Sequence, residues 1–387
     1  MSLTSLPFEI IGRIFDYLEL PDLVDCSLTC RPLHWFFNFH QYGLFRPLWH
    51  NVPCQIPNNG VSDLRLYYRN AVMIDATLYI VVLSLNSPTC WQLRTNEKNL
   101  EWLCIPVKVF GQYRPVKYPA TSSISNQIYI HGGIDLVTGQ PTNALYELSV
   151  NNMHLRTLSQ SNVLPRPRSM HTLNAIDRNR FMIYGGQCFT NDRPYDCRDY
   201  AIYDITNKSW TIYNPVPNIP YARSLHLTVL VRNALYIYGG QQITYVGLSE
   251  IHNDDGIWAY DTQNNQWRKY LSPNIEQSTS FRLPSEWIST TGRKQSPGRR
   301  VGAAMVCFRN KIVIFGGSTT DNWERSQVEK PWEYMKIFSA SKRTWEHIRI
   351  RGLPRMQCVA FTSGRREFFV IGENANTGEI MMGRIFD

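Results

Sequence analysis

The sequence predicts a small all-α module followed by an all-β domain of repeated four-stranded units. Two observations support this prediction. Near the N-terminus, apolar residues recur at the spacing of a helix, and beyond residue 110 the chain repeats a β-rich segment that ends in a glycine pair. At 387 residues, with 43% hydrophobic and 18% charged residues, the chain is long enough for one small module and one large globular domain.

Residues 6–36 are expected to form a helix, a break and a second helix. Pro7 occupies a position that the first turn of a helix tolerates, and the Leu20-Pro21-Asp22 step interrupts the helical pattern. Aromatic residues up to Phe39 leave more apolar surface than three short helices can bury alone, so something else must cover it. The apolar positions are Ile10, Ile11, Ile14, Phe15 and Leu18 in the first segment and Leu23, Val24 and Leu28 in the second.

This N-terminal motif resembles an F-box. The resemblance rests on the order and spacing of Leu6-Pro7-x-Glu9-Ile10-Ile11-x-x-Ile14-Phe15-x-Tyr17-Leu18, Pro21-Asp22-Leu23 and Leu28-x-Cys30-Arg31. It implies binding to a Skp-family adaptor and, through it, to the cullin and RING subunits of a ubiquitin ligase. The residues that would face the adaptor are Leu6, Pro7, Ile10, Ile11, Ile14, Leu18, Pro21 and Leu28. The alternative is that these side chains only pack an internal three-helix core.

Four segments beyond residue 110 end in a glycine pair, and a fifth is degenerate. After each pair comes an aromatic residue and, seven positions later, a bulky apolar residue. Each unit thus contains four short β-branched and aromatic runs, which predicts a four-stranded antiparallel sheet. Glycine pairs permit close backbone approach, which suits inner strands around a central axis. The pairs are Gly132-Gly133, Gly185-Gly186, Gly239-Gly240 and Gly316-Gly317, and the degenerate one is Gly372-Glu373.

These units resemble Kelch repeats, which implies a β-propeller. Counting a degenerate first unit, the six blades are 71–106, 113–158, 166–213, 221–270, 298–349 and 355–387. The chain then divides into an F-box in 1–50, a linker in 51–70 and a six-bladed Kelch-type propeller in 71–387. The last blade lacks an outer strand. Either a segment near Val52 to Ile56 closes the ring, or that blade has three strands.

Loop lengths distinguish one face of the propeller. In each blade the first and third turns lie on one face, and the second loop and the connection to the next blade lie on the other. The long insertions, 187–199, 241–256, 271–297 and 318–333, all belong to the second set, so we expect that face to bind a target protein. Its arginine and aromatic side chains, of types enriched at binding hot spots, are Arg193, Tyr195, Arg198, Tyr245, Arg282, Trp287, Arg293, Trp323, Arg325 and Trp332. Some of these aromatic residues are expected to anchor their own loops instead.

The other conspicuous side chains are expected to belong to the scaffold. His171 and His226 occupy equivalent repeat positions, which favours packing or hydrogen bonding over metal binding or catalysis. The repeat tryptophans Trp210, Trp267 and Trp345 are expected to pack between blades. The nine cysteines include no Cys-x-x-Cys pair, so no structural zinc is expected.

Charge and targeting signals limit the partners. The net charge is +9, but basic residues occur singly or in pairs such as Arg299 and Arg300, without a nucleic-acid fingerprint. The longest aliphatic run, Ile80 to Leu83, is far shorter than the roughly 20 residues that cross a bilayer, and the N-terminus lacks a basic region ahead of an apolar stretch. We therefore expect a soluble protein of the cytoplasm, the nucleus or both, with neither nucleic acid nor membrane as a partner.

Two classes of function remain after these exclusions. The resemblance favours the substrate-recognition subunit of a Skp-cullin-F-box (SCF) ubiquitin ligase, a non-catalytic protein without metal or cofactor. The alternative is a non-degradative Kelch scaffold that uses its F-box only for stability. An enzyme is disfavoured, because the sequence contains no Gly-x-Ser-x-Gly elbow, no phosphate loop and no convincing histidine cluster.

Overall fold

The structure is a computed structural model that describes a defined part of the chain. The described residues are 49–52, 54–55, 67–96, 100–160, 163–191, 193–215, 217–243, 249–251, 256–270, 300–308, 310–318, 334–341, 343–349, 356–362, 367–374 and 380–386. The predicted all-α module, with Leu6, Pro7, Ile10, Ile11, Ile14, Leu18, Pro21 and Leu28, lies outside them. Its helical nature therefore stays a prediction.

Six antiparallel sheets of four main strands each form the blades, in agreement with the predicted number. Within a blade, strands that are consecutive in the chain pair antiparallel, and blade 6 takes its outer strand from residues 49–51. The strands are runs of β-branched and aromatic residues. Blade 1 contains Ala71–Ile74, Thr77–Leu83, Pro88–Arg94 and Leu103–Pro106; blade 2 contains Ala120–Ile124, Gln127–His131, Leu145–Ser149 and His154–Thr157; blade 3 contains Thr172–Ala175, Arg180–Tyr184, Tyr200–Asp204 and Ser209–Tyr213.

The second half of the ring repeats this plan. Blade 4 contains Leu227–Val231, Ala234–Tyr238, Ile257–Asp261 and Gln266–Tyr270; blade 5 contains Val301–Phe308, Lys311–Ser318, Tyr334–Ser339 and Thr344–Arg349; blade 6 contains Met356–Thr362, Glu367–Asn374, Ile380–Phe386 and Trp49–Asn51. Shorter elements are the strands Cys54–Gln55, Leu100–Glu101, Lys108–Phe110, Val116–Lys117 and Ile134–Asp135, and a 3-10 turn at Tyr68–Asn70. None of the described helices is long and apolar enough to cross a membrane.

The first strand of each blade lies closest to the axis. First strands of neighbouring blades contact one another all the way round, from blade 1 through blade 6 and back to blade 1. The glycine pairs end the second strands, not the innermost ones, so the expectation that they line the axis is wrong. Their close backbone approach is instead to the connection that enters the same or the next blade.

A strand from before blade 1 closes the ring. Trp49–Asn51 pairs antiparallel with the third strand of blade 6, with Trp49 opposite Ile385 and Asn51 opposite Gly383. The Val52 N–H continues the ladder by donating to the Met382 carbonyl at 2.9 Å. Of the two alternatives that the sequence left open, the structure contains the first, with the closing strand slightly earlier than Val52 to Ile56. The propeller thus recruits residues from upstream of 71.

The core lies between neighbouring blades. Tyr129 and Leu145 of blade 2 form one cluster with Phe181, Tyr203 and Trp210 of blade 3. Trp345 occupies the corresponding place between blades 4 and 5, and Trp267 packs against the cluster between blades 3 and 4. The prediction that these tryptophans pack between blades is confirmed. Each large aromatic side chain removed from water in this way contributes about 1.5 to 3 kcal/mol.

Candidate protein-binding face

Long loops and blade connections share one face, which we call the loop-rich face. The second loop of blade 3 forms a hairpin from Gln187–Thr190 and Arg193–Asp196, and that of blade 4 forms a hairpin from Gln241–Ile243 and Ser249–Ile251. A bridge from Ser169 to Gln187, and another from Ser224 to Gln241, attach the preceding connections to these hairpins. The turns at the other end of these blades are short, as at 177–179 and 232–233.

The glycine pairs explain how connections and loops fit together beneath this face. Gly185 has a φ of +63°, and a Cβ built on it would lie 2.5 Å from the carbonyl oxygen of Arg223. Gly239 has a φ of +67° and the same 2.5 Å approach to the carbonyl of Arg300. A side chain at either position would collide with backbone, so the repeat requires glycine there.

Three arginines at equivalent positions lie beneath the loop-rich face and bind backbone carbonyls there. Arg168, Arg223 and Arg300 are all buried, and each donates from Nη1 to the carbonyl of its own blade's first glycine, at 2.9 to 3.1 Å. Arg168 also forms an ion pair with Asp199 at 2.7 Å. The sequence analysis described no role for these arginines. The structure places them in the connections before the first strands, where they bind backbone.

Four consecutive residues at the end of the blade 3 hairpin hold its neighbours in place. The carboxylate of Asp196 accepts the backbone N–H of Ile243 from the next hairpin at 2.5 Å, and burial raises the pKa of Asp196. The Cys197 N–H donates to the Gly186 carbonyl at 2.7 Å. Arg198 donates to the carbonyls of Ile219 and Pro220, both at 3.1 Å. Asp199 completes the set by pairing with Arg168.

Three of the predicted target-binding residues lie within or directly beside this hairpin. Arg193 is exposed, and the Tyr195 hydroxyl accepts a hydrogen bond from Arg166 at 3.2 Å. Arg198 packs over the ring of Tyr221, 5.3 Å from its centroid, while its donors bind the blade 3–4 connection. Arg198 therefore orders a connection as well as contributing charge. Tyr245, Arg282, Trp287, Arg293, Trp323, Arg325 and Trp332 lie outside the described residues.

The structure adds residues that the loop-length argument missed. Tyr221 is 54% exposed and Arg166 is exposed, both in blade connections of the loop-rich face. Leu85 and Val137, in the second loops of blades 1 and 2, are 63% and 74% exposed. The loop-length argument considered only long loops, so it did not single out the short connections that contain Arg166 and Tyr221. Their prolines, Pro165 and Pro167 around Arg166 and Pro220 before Tyr221, were the available signal.

Comparison with known proteins decides the family. A model described as the KLHDC2/KLHL20/DRC7 Kelch-repeats domain matches residues 84–240 and 118–282, and an F-box-like model matches residues 3–37. The chain belongs to the Kelch-repeat family and has an F-box-like domain at residues 3–37. Both resemblances found in the sequence are thereby confirmed.

Relatives of this Kelch protein match it at low identity. Kelch domain-containing protein 3 of Bos taurus is 22% identical over 313 residues, which cover 76% of this chain and 72% of the relative. The Rho GTPase-activating protein gacHH of Dictyostelium discoideum is 29% identical over 165 residues, 42% of this chain. The chain spans only 10% of gacHH and 15% of Tip elongation aberrant protein 1 of Schizosaccharomyces pombe. The structure of YjhT has a TM-score of 0.57 at 14% identity, covering 83% of this chain and 94% of YjhT, and shares the fold.

His171 and His226 of this Kelch propeller are buried and hydrogen-bonded between blades, in agreement with the predicted packing or hydrogen-bonding role. His131 Nδ1 and His171 Nε2 lie 2.9 Å apart between blades 2 and 3, and His226 Nε2 lies 2.9 Å from the Thr172 hydroxyl. Burial lowers the pKa of His131 to about 3, and burial likewise holds the pKa of His171 well below its ordinary value. Both imidazoles are therefore neutral near pH 7. Among the described residues, no group of three or more His, Cys, Asp or Glu side chains could hold a metal ion.

Proposed function

We propose that this protein is the substrate-recognition subunit of an SCF ubiquitin ligase in the cytoplasm or nucleus. Its F-box-like segment binds a Skp-family adaptor and, through it, the cullin and RING subunits, while the loop-rich face binds a target protein. The chain performs no chemistry of its own. Holding a target lysine near a charged conjugating enzyme raises the effective concentration of the two reactants.

The observation that carries this proposal is where the chain enters the propeller. The third strand of blade 6 runs from the loop-rich face toward the face of short turns, because it follows the second loop. Trp49 pairs with Ile385 near the end of that strand, and Asn51 pairs with Gly383 further back. The chain that precedes Trp49, which includes the F-box-like segment at residues 3–37, therefore enters the propeller at the short-turn end. This entry point supports the proposal that the adaptor and the target bind different parts of the protein.

The target-binding residues are proposed from their chemistry. Arg193 and Tyr195 belong to the blade 3 hairpin, Arg166 bonds to Tyr195, and Tyr221 stacks with Arg198. Exposed arginine and aromatic side chains on a rigid support are typical of binding hot spots. Tyr245, Arg282, Trp287, Arg293, Trp323, Arg325 and Trp332 are proposed for the same face from the sequence alone.

A comparative pull-down tests the two halves of the proposal separately. The tagged wild type is compared with a Pro7→Ala, Ile10→Ala, Leu18→Ala triple variant, and bound proteins are identified by mass spectrometry. We expect the variant to lose adaptor and cullin while it keeps other partners, which are then candidate targets. A wild type that retrieves no adaptor would overturn the ligase assignment. Adaptor binding without ubiquitylation of any bound partner would favour the non-degradative scaffold.

The target face has its own test. Arg193→Glu reverses a charge on the loop-rich face, and Arg178→Glu makes the same change at an exposed turn on the opposite face. We expect Arg193→Glu to lower target capture about tenfold, which corresponds to about 1.4 kcal/mol, and Arg178→Glu to leave it unchanged. Deleting residues 274–295 should also weaken capture. Unchanged capture in both the Arg193 variant and the deletion would contradict the assignment of this face.

A further inference from the structure

Two cysteines meet at the base of the blade 3 hairpin on the loop-rich face. Cys188 lies in its first strand and Cys197 directly follows its second, and their sulfurs are bonded, with the Cα atoms 6.3 Å apart. This separation falls within the usual range of disulfides. Cys188 and Cys197 are 2% and 3% exposed. The sequence analysis did not anticipate the pair, because eight residues separate the two cysteines and the contact depends on the hairpin turn.

The pair differs from the single buried cysteines of the scaffold. Cys90 in blade 1 and Cys358 in blade 6 are buried, and burial raises the pKa of each thiol to about 12. Cys188 and Cys197 are buried to a similar extent, so the difference is that Cys90 and Cys358 are free cysteines whereas the hairpin pair is bonded. Cys90 and Cys358 therefore serve as reference thiols with which the reactions of Cys188 and Cys197 can be compared.

Cys197 lies between two residues that bind neighbouring segments, so its disulfide bond affects how firmly the hairpin is held. Cys197 lies between Asp196, which holds Ile243 of the next hairpin, and Arg198, which holds the blade 3–4 connection. Without the covalent bond, the hairpin is held by the pairing of Gln187–Thr190 with Arg193–Asp196 and by hydrogen bonds to neighbouring segments, such as the Ser169–Gln187 bridge and the bond from Ile243 to Asp196. An isolated two-stranded hairpin is marginally stable in water. Opening the disulfide therefore loosens the hairpin that carries Arg193 and Tyr195.

We propose that Cys188 and Cys197 form a reversible disulfide site that controls the target-binding shape of the loop-rich face. Hydrogen peroxide oxidises one thiol to a sulfenic acid and is itself reduced to water. The second thiol attacks that sulfur, the S–O bond breaks, a second water leaves, and the S–S bond forms. A dithiol reductant returns the pair to two thiols and becomes a disulfide itself. In cytosolic proteins, disulfides are commonly transient and redox-sensing.

The thiol chemistry can be tested on the full-length protein without knowing the target. Protein treated with hydrogen peroxide or with dithiothreitol is denatured, alkylated with a maleimide and mapped by mass spectrometry. We expect Cys188 and Cys197 to be blocked together after peroxide and labelled together after dithiothreitol.

Hydrogen exchange should show amides of 187–197 exchanging at least several-fold faster in the reduced protein, with blade 1 unchanged. A Cys188→Ala, Cys197→Ala variant should exchange fast in both states, and Cys104→Ala should respond like wild type. Independent labelling of the two cysteines, or equal exchange in both states, would overturn the proposal.

A pull-down in both redox states connects the site to binding. This part rests on the proposed function, and we expect reduced protein and the double variant to capture target several-fold less well while adaptor binding stays constant. Equal target capture in the two states would overturn the control of binding even where the disulfide forms. Absence of adaptor in both states would instead overturn the proposed function, because the F-box-like segment, at residues 3–37, does not include the hairpin.

Discussion

The guanidinium of Arg168 and the carboxylate of Asp199 lie 2.7 Å apart beneath the loop-rich face, with the arginine side chain completely buried. Arg168 belongs to the connection that enters blade 3, and Asp199 precedes the third strand of the same blade. The pair therefore ties the connection to the second loop. Buried charges need such partners, because an isolated charge in the interior has lost its hydration without compensation.

Removing the carboxylate should destabilise the protein strongly. We expect Asp199→Ala to lower the free energy of unfolding by about 3 to 5 kcal/mol, because Arg168 keeps a buried charge without its partner. The control is Arg180→Ala, which breaks the pair between Arg180 and Asp177 at 2.6 Å, where both side chains are more than a third exposed. That change should cost less than about 1 kcal/mol. Urea denaturation measures both, and equal losses would contradict this explanation.

Glycine at position 185 should be required for space as well as for conformation. Gly185 and Gly139 have similar positive φ values, +63° and +70°, but a Cβ on Gly139 would meet nothing within 4 Å. Gly139→Ala should cost about 1 kcal/mol from the backbone conformation alone. Gly185→Ala should cost about 2 to 3 kcal/mol more, because its Cβ meets the Arg223 carbonyl. Thermal unfolding of the two variants separates these effects, and similar melting temperatures would rule out the steric one.

Stability should fall as the pH drops below about 6.5. His131 has a pKa of about 3 in the fold, and the pKa of His171 is also lowered, whereas an unfolded histidine titrates near 6.5. Between pH 3 and pH 6.5 the unfolded chain binds more protons at His131, so this histidine removes about 1.4 kcal/mol of stability per pH unit as the pH falls, and His171 acts in the same direction. The contribution is complete above pH 6.5 and decreases on acidification.

His131→Tyr tests this dependence, since Tyr184 occupies the equivalent position in blade 3. Urea unfolding at pH 7.5 and 5.5 should show a smaller acid-induced loss in the variant than in the wild type, by about 1.4 kcal/mol. An unchanged pH dependence in His131→Tyr would show that His131 does not titrate in this way.

Ring closure should depend on one backbone donor in the closing strand. Val52 N–H bonds to Met382, and bonded pairs alternate along an antiparallel ladder, so the next bonded pair is His50 with Arg384. His50→Pro removes that donor, whereas Asn51→Pro replaces an N–H that points away from the ladder. We expect His50→Pro to cost about 2 kcal/mol more and to speed amide exchange in Ile380–Phe386. Equal effects of the two prolines would contradict this register.

The blades could be predicted because each is encoded locally. The second strand, the glycine pair and the aromatic residue that begins the seven-residue interval lie within about 30 residues, and a turn joins each pair of neighbouring strands. Trp210 and Trp345 could be assigned to the spaces between blades for the same reason, since a residue repeated at one strand position faces the same neighbour in each blade. The location of the first strands at the axis was missed, because strand alternation shows which residues pair but not which end of the sheet faces inward.

The sequence predicted which face of the propeller carries the long loops, but not the side-chain contacts within that face. Loop length identified the side, and Arg193 and Tyr195 are found there. The dual use of Arg198, the ion pair of Arg168 and the Cys188–Cys197 bond depend on side chains that meet across loops. No periodicity marks such contacts, because loops have no repeat that would fix the direction of a side chain.

Repeat spacing and strand composition were sufficient for the family, the number of blades and the side that bears long loops, since all three follow from short-range pairing. Contacts between distant parts of the chain settled the rest. Trp49 pairs with Ile385 only when the ring closes, Asp196 accepts the Ile243 N–H of the neighbouring blade, and Arg168 binds the Gly185 carbonyl once its own blade is formed. A strand of three residues is too short for its sequence pattern to indicate which strand it pairs with. The acceptors of a buried arginine are known only once the positions of the surrounding backbone carbonyls are known.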